Sequence, residues 1–242
     1  HRNLEDYTEE DLELLPKIKE IRDKYNRGKF SVFNALTNPN KHNSARYANN
    51  IKDTIVDPET SSEISWDKSY CDNESSCRKQ FVRFYFIDKL GNHNEFKLVS
   101  PHAFELVTSY GWFEYEVATI LRKWPSCNEV WLNTVFPYNN KKAKNEIDII
   151  VQTGHKLLFV ECKTQVLDKT DIDKFASAVK NYGGMGAKAI FVTQQDMGPE
   201  AVEKCETNKI AHFSFYDKLG RSVRHSEFFG LLNQIIKDSN TR

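Results

Sequence analysis

Apolar residues recur along this chain in two periods, and the change from one to the other marks its organisation. Trp112, Phe113, Val117, Ile120, Leu121 and Trp124 are spaced as on one side of a helix, which predicts a helix over residues 109–123, closed by Pro125. Beyond it, Val130 to Phe136, Glu146 to Gln152, Lys156 to Lys163 and Ala189 to Thr193 have the β-branched and aromatic character of strands. Leu157-Leu158-Phe159-Val160 is apolar at every position, so its strand belongs in the middle of a sheet covered on both faces. Ile172, Phe175, Ala176 and Val179 return to helical spacing and Gly183-Gly184 stops them, which predicts a βαβ crossover. Pro199 opens a short helix, Ile210 to Phe215 reads as a further strand, and Ser226 caps a final amphipathic helix through Phe228, Leu231, Leu232, Ile235 and Ile236.

The first hundred residues read differently. Thr8-Glu9-Glu10-Asp11 reads as a helix start and Pro16 as the opening of a second helix. Residues 38–79 are rich in Asn, Asp, Ser, Thr and Glu and read as long loops with at most short elements. Phe81 to Ile87 and Phe96 to Val99 read as a hairpin around Lys89 to Asn94. The pattern predicts an α/β protein: a central mixed sheet flanked by helices over residues 101–242, preceded by an N-terminal α+β extension over residues 1–100.

Composition narrows the class. The chain has 242 residues, 39% of them hydrophobic, enough for a real core. No apolar run approaches the roughly 18 residues of a membrane span and no apolar leader opens the chain, so a cytoplasmic protein without membrane contact is expected. A formal charge of zero excludes a uniformly basic coat and requires any contact with phosphates to be local. The five cysteines are odd in number and irregularly spaced, which fits reduced thiols rather than a disulfide framework or a zinc pair.

Candidate chemistry sits on two neighbouring strands. In Glu146-Ile147-Asp148-Ile149, period-two alternation places Glu146 and Asp148 on one face and Ile147 and Ile149 on the other. After the turn Thr153-Gly154-His155, the apolar strand ends in Glu161-Cys162-Lys163, with Glu161 and Lys163 sharing a face. Several carboxylates beside a buried sheet exceed what one lysine can neutralise. A divalent cation would compensate them, and hard oxygen ligands suit Mg²⁺ or Mn²⁺.

At these residues the chain resembles the PD-(D/E)xK nuclease superfamily, with Ile147-Asp148 at the nominal Pro-Asp position. Gly111-Trp112-Phe113-Glu114, Asn145 to Asp148, Phe159 to Thr164 and Tyr182-Gly183-Gly184 further resemble the nuclease domain of CARF-fused CRISPR ancillary nucleases, over about residues 105–215. The resemblance implies a restriction-endonuclease-like core and a homodimeric antiviral effector that cuts DNA or RNA with Mn²⁺ or Mg²⁺ under control of a cyclic oligoadenylate. It implies Asp148, Glu161 and the carbonyl of Cys162 as metal ligands, Lys163 as the catalytic ammonium and Glu114 as a helix-borne acid completing the site. Lys141, Lys142, Lys144 and Gln165 are candidates for contact with a nucleic-acid backbone or an ordered water. A CARF domain is not evident in residues 1–100, and the start at His1 is consistent with a fragment of a longer chain or with a standalone relative. Two other readings use the same core: a restriction or repair endonuclease without cyclic-nucleotide control, and a silent nucleic-acid-binding module.

Overall fold

In the computed structural model, the described residues are 3–7, 9, 12, 13, 15, 16, 51–56, 63–70, 80–87, 93–98, 106, 111–137, 144–164, 169–184, 186–216 and 224–237. The chain divides into two compact units, one of His1–Leu4 with Phe113–Arg242 and one of Glu5–Trp112.

Within the second of these, β1 (Ile51–Val56), β2 (Glu63–Tyr70), β3 (Gln80–Ile87) and β4 (His93–Leu98) form a four-stranded antiparallel meander in chain order. The hairpin expected near residue 90 is β3–β4. Two further strands occupy the stretch read as loops, which corrects that expectation. Ile64, Trp66 and Tyr70 alternate with polar residues along β2, a period-two pattern that the polar composition of the stretch masks. The predicted N-terminal helices lie mostly outside the described residues.

The other unit is built on a five-stranded sheet, in order β5 (Glu129–Pro137), β6 (Lys144–Thr153), β7 (Lys156–Lys163), β8 (Lys188–Thr193) and β9 (Ala211–Ser214). β5, β6 and β7 are antiparallel neighbours, and β7, β8 and β9 run parallel. The helices are α1 (Gly111–Arg122), α2 (Lys169–Tyr182), α3 (Pro199–Thr207) and α4 (His225–Lys237). The predicted mixed sheet with flanking helices is therefore observed. Ser226 falls inside the first turn of α4 rather than at its cap.

Each face of the sheet has its own cover. Phe191 on β8 meets Phe175 of α2 edge to face at 5.6 Å, within a core cluster that also holds Phe159, Ile172, Ala201 and Cys205. Phe213 lies beside Val192 in register, on the opposite face, and packs with Phe215 and Phe228, while Phe215 reaches Phe113 of α1 at 6.2 Å. Thus α2 and α3 cover one face and α1 and α4 the other, as the apolar run Leu157-Leu158-Phe159-Val160 of β7 requires. α4 is tied down by Trp124 Nε1 donating to Asn233 Oδ1 and by Lys156 Nζ donating to the Ile236 carbonyl.

α2 ends in a tight approach. A Cβ on Gly183 would lie 2.4 Å from Ala187 Cβ and 2.7 Å from the Val179 carbonyl, so only glycine fits, and Gly184 at φ +69° then turns the chain toward β8. Tyr182, just before this stop, stacks on Phe136 with ring centroids 4.3 Å apart and accepts a hydrogen bond from Asn145 Nδ2.

Candidate active site at the fork of the sheet

The β6–β7 ladder ends at Ile149 opposite Val160, so Asp148 and Glu161 are the first residues beyond it. The Cys162 N–H, at the start of this divergence, donates to Asp148 Oδ2 at 2.8 Å. The side chain thus takes up a donor that the parting strands leave.

On the other side of Asp148 the β5–β6 ladder is interrupted as well. Leu132 pairs with Ile149 and Thr134 with Ile147, in one register, but Asn133 opposite Asp148 is not part of the ladder and adopts φ +45°. Opposed residues in an antiparallel pair share a face. Trp131 and Ile150 pack with the α2-side core, and so do Phe136 and Ile147, although strict alternation would send the two pairs to opposite faces. The alternation therefore shifts by one residue at Asn133 and Asp148. This corrects the sequence-based expectation that Ile147 and Ile149 share a face: Ile147 packs with Ile150, and Asp148 stands at the shift.

Four ionic side chains gather at this fork. Lys163 Nζ lies 2.7 Å from Glu161 Oε1 and 4.0 Å from Asp148 Oδ2, and both carboxylates keep only 14% of their side-chain exposure. Glu114, in the first turn of α1, accepts a 2.8 Å hydrogen bond from Asn133 Nδ2. Glu161 and Lys163 reach the site from the face that α2 covers, Glu114 from the face that α1 covers.

Burial dominates the electrostatics. It raises the Glu161 carboxyl to about 8, with repulsion from Asp148 adding to it, and the Lys163 ammonium only partly offsets both. Burial likewise raises Asp148, against the pull of Lys163 and the Cys162 N–H. Glu114 is held well above the ordinary carboxylate range by burial and by Asp148, despite the Asn133 hydrogen bond. Burial disfavours the Lys163 charge, yet Asp148 and Glu161 more than compensate and hold the ammonium charged. Burial and mutual repulsion keep protons on these carboxyls, and a cation would let them ionise together.

The donor set consists of hard oxygens, as Mg²⁺ or Mn²⁺ requires. Among the described residues, no group of three His, Cys, Asp or Glu side chains is arranged to hold a metal ion. The fit is therefore of charge and donor chemistry: two carboxylates with a backbone carbonyl would leave positions for water and phosphate. Cys162 is itself buried, and burial with the surrounding carboxylates pushes its thiol well up, so its side chain is a neutral core group.

Glu146, expected beside Asp148, is exposed and acts on Asp148 and Glu114 only through its charge. Lys141, Lys142 and Gln165 lie outside the described residues, as does the side chain of Lys144. Cys127, Cys162 and Cys205 are free thiols, while Cys71 and Cys77 are outside the described residues. Asn133 was not anticipated. Its signal was a lone amide inside the apolar run Val130-Trp131-Leu132-Asn133-Thr134-Val135-Phe136, of a residue type that tolerates left-handed backbone.

Among the described residues, no helix is long and apolar enough to cross a membrane. No curated protein matches the chain. Solved structures similar to it include protein VC1899 from Vibrio cholerae (14% identity, TM-score 0.53, covering 99% of this chain and 57% of that one). Others are Can2 from Sulfobacillus thermosulfidooxidans in complex with cyclic tetra-adenylate (23%, 0.44, 59% and 40%) and AF1548, a protein of unknown function (18%, 0.35, 44% and 58%). The chain thus spans between 40% and 58% of the length of these structures, and the likeness to VC1899 is one of fold. Residues 103–215, which contain Glu114, Asn133, Asp148, Glu161 and Lys163, match the family model described as Card1-like, endonuclease domain. Over that segment the chain is similar to the Card1-like endonuclease domains, which bears out the nuclease resemblance carried by its sequence motifs.

Proposed function

We propose that the chain is a divalent-metal-dependent endonuclease that hydrolyses phosphodiester bonds of DNA or RNA. The observation that carries this reading is the fork itself, where Glu114, Asp148 and Glu161 lie largely out of solvent beside the ammonium of Lys163. Asp148 and Glu161, with the Cys162 carbonyl, would hold Mg²⁺ or Mn²⁺, and Glu114 would complete the site. A bound ion would supply charge for the phosphate oxygens and a water of lowered pKa.

The chain's own residues do the rest. The Cys162 N–H fixes the Asp148 carboxylate in one orientation, so one of its oxygens is committed and the other is available. Lys163 holds Glu161 in place until substrate arrives and then offers its ammonium to charge building on the phosphate. Buried carboxylates raised this far give up their protons when a cation enters, so metal uptake and proton release are coupled.

Control by a cyclic oligoadenylate through a CARF domain, a homodimeric assembly, a cytoplasmic antiviral role and backbone contacts from Lys141, Lys142, Lys144 and Gln165 rest on the resemblance and complete the proposal. The test is cleavage of supercoiled plasmid and single-stranded RNA by the chain and by Lys163→Ala, with Mn²⁺ or EDTA and with or without cyclic tetra-adenylate. Metal-dependent cutting lost in Lys163→Ala supports the nuclease reading; cutting by the folded variant, or cutting in EDTA, overturns it. Cutting indifferent to the cyclic nucleotide overturns only its control.

A further inference from the structure

Asn133 carries two unusual features at once. Its backbone lies at φ +45°, within the left-handed region, at the residue where β5 leaves the ladder opposite Asp148. Its side-chain amide donates to Glu114 Oε2 at 2.8 Å, joining an edge strand to a helix on one face of the sheet. Left-handed backbone costs most residues about 1–2 kcal/mol, and glycine, asparagine and aspartate adopt it at least cost. Glycine there could not hold Glu114. Aspartate would repel it. Asparagine alone combines the backbone freedom with a donor for a carboxylate.

The same feature shapes the opposite strand. Because the register is the same on both sides of Asn133, no residue is inserted; the chain twists within one residue and delivers Ile147 to the α2-side core. Asp148 is left at the turning point, with neither neighbouring strand bonded to it in the ladder and its carboxylate against Cys162 N–H. Asn133 thus touches Glu114 and also stands directly across from Asp148.

We propose that Asn133 is a positioning residue that holds Glu114 at the fork beside Asp148, where its charge strengthens the hold of Asp148 and Glu161 on a divalent cation. This rests on the metal-dependent reading of the same site. Asn133 acts on metal affinity through Glu114, so its effect on that affinity is expected only while Glu114 is present. Glu114 on a helix without this bond would be free to turn to solvent, away from Asp148.

The experiment is a double-mutant cycle on the full chain: wild type, Asn133→Gly, Glu114→Ala and the double variant. Mn²⁺ affinity by titration calorimetry is read alongside plasmid and RNA cleavage. Asn133→Gly keeps the left-handed backbone, so it folds; its melting temperature in EDTA verifies this. The expected result is a loss of about tenfold in Mn²⁺ affinity for Asn133→Gly, as for removal of a group that orients a ligand, and no further loss when it is added to Glu114→Ala. Equal losses in both backgrounds, or wild-type affinity in Asn133→Gly, overturn the proposal. Mn²⁺ binding without cleavage by wild type sinks the nuclease reading while the cycle still decides the role of Asn133. Absence of both binding and cleavage sinks the two together.

Discussion

Lys163 Nζ lies 2.7 Å from Glu161 Oε1 and 4.0 Å from Asp148 Oδ2, so one ammonium serves two buried carboxylates from adjacent strands. Lys163→Met removes that charge and keeps the aliphatic stem. The variant should lose at least about 100-fold in cleavage rate, measured on plasmid or RNA with Mn²⁺. It should also lose about 2 kcal/mol of stability near pH 8, because Glu161 is left buried and uncompensated, and a urea titration would show this as a lower midpoint.

Asp148→Asn should behave differently. An asparagine oxygen can still accept the Cys162 N–H, so the fold is kept, and removal of one buried charge leaves Glu161 less repelled. The variant should melt no lower than wild type in EDTA and show no Mn²⁺ heat in calorimetry. A lower melting temperature with intact metal binding would make Asp148 structural.

The pH dependence of the metal-free protein follows from Glu161, whose carboxyl is raised from 4.5 to about 8. A carboxyl raised by folding contributes its stability at low pH and loses it as pH rises through the folded value. Between about pH 5 and pH 8 the metal-free protein should therefore become less stable. Glu161→Gln should flatten this slope in a thermal melt series, and Mn²⁺ should raise the melting temperature most near pH 8, where its ligands are least protected by protons.

Gly183→Ala tests the fold rather than the chemistry. Its Cβ would stand 2.7 Å from a backbone carbonyl and 3.3 Å from the buried ring of Phe159, neither of which yields easily. A loss of about 1–3 kcal/mol is expected from such overpacking. At Gly186, where a Cβ meets nothing within 4 Å, the alanine variant should leave the melting temperature almost unchanged.

Much of the nuclease-like core was legible because its elements are strongly periodic. β7 was readable to the residue, since an all-apolar run ending in Glu161-Cys162-Lys163 has only one plausible strand register. Parity placed Glu161 and Lys163 on one face of β7, and the short turn at Thr153-Gly154-His155 set Asp148 on the strand beside them. The shift at Asn133 and Asp148 was not legible, because alternation assumes an unbroken pleat and a left-handed residue inside a strand violates that assumption. Nor were β1 and β2, whose polar composition outweighed the alternation of Ile64, Trp66 and Tyr70. Glu114 could be named only by resemblance: the helix pattern puts it in the first turn of α1, but nothing local says that its partner is an amide on β5.

The β6–β7 hairpin closes Thr153 onto Lys156 through Gly154 and His155, with Gly154 at φ +57°. That short loop sets the phase of the ionic fork at the far end of both strands. One residue added on the β7 side would exchange the places of Cys162 and its charged neighbours, sending Glu161 and Lys163 toward α1 and a thiol toward Asp148. Two added residues, one per strand, would restore the phase and merely lengthen the hairpin. The placement of the ionic groups is thus indexed by a turn that touches none of them, and length variation there is tolerable only in even steps.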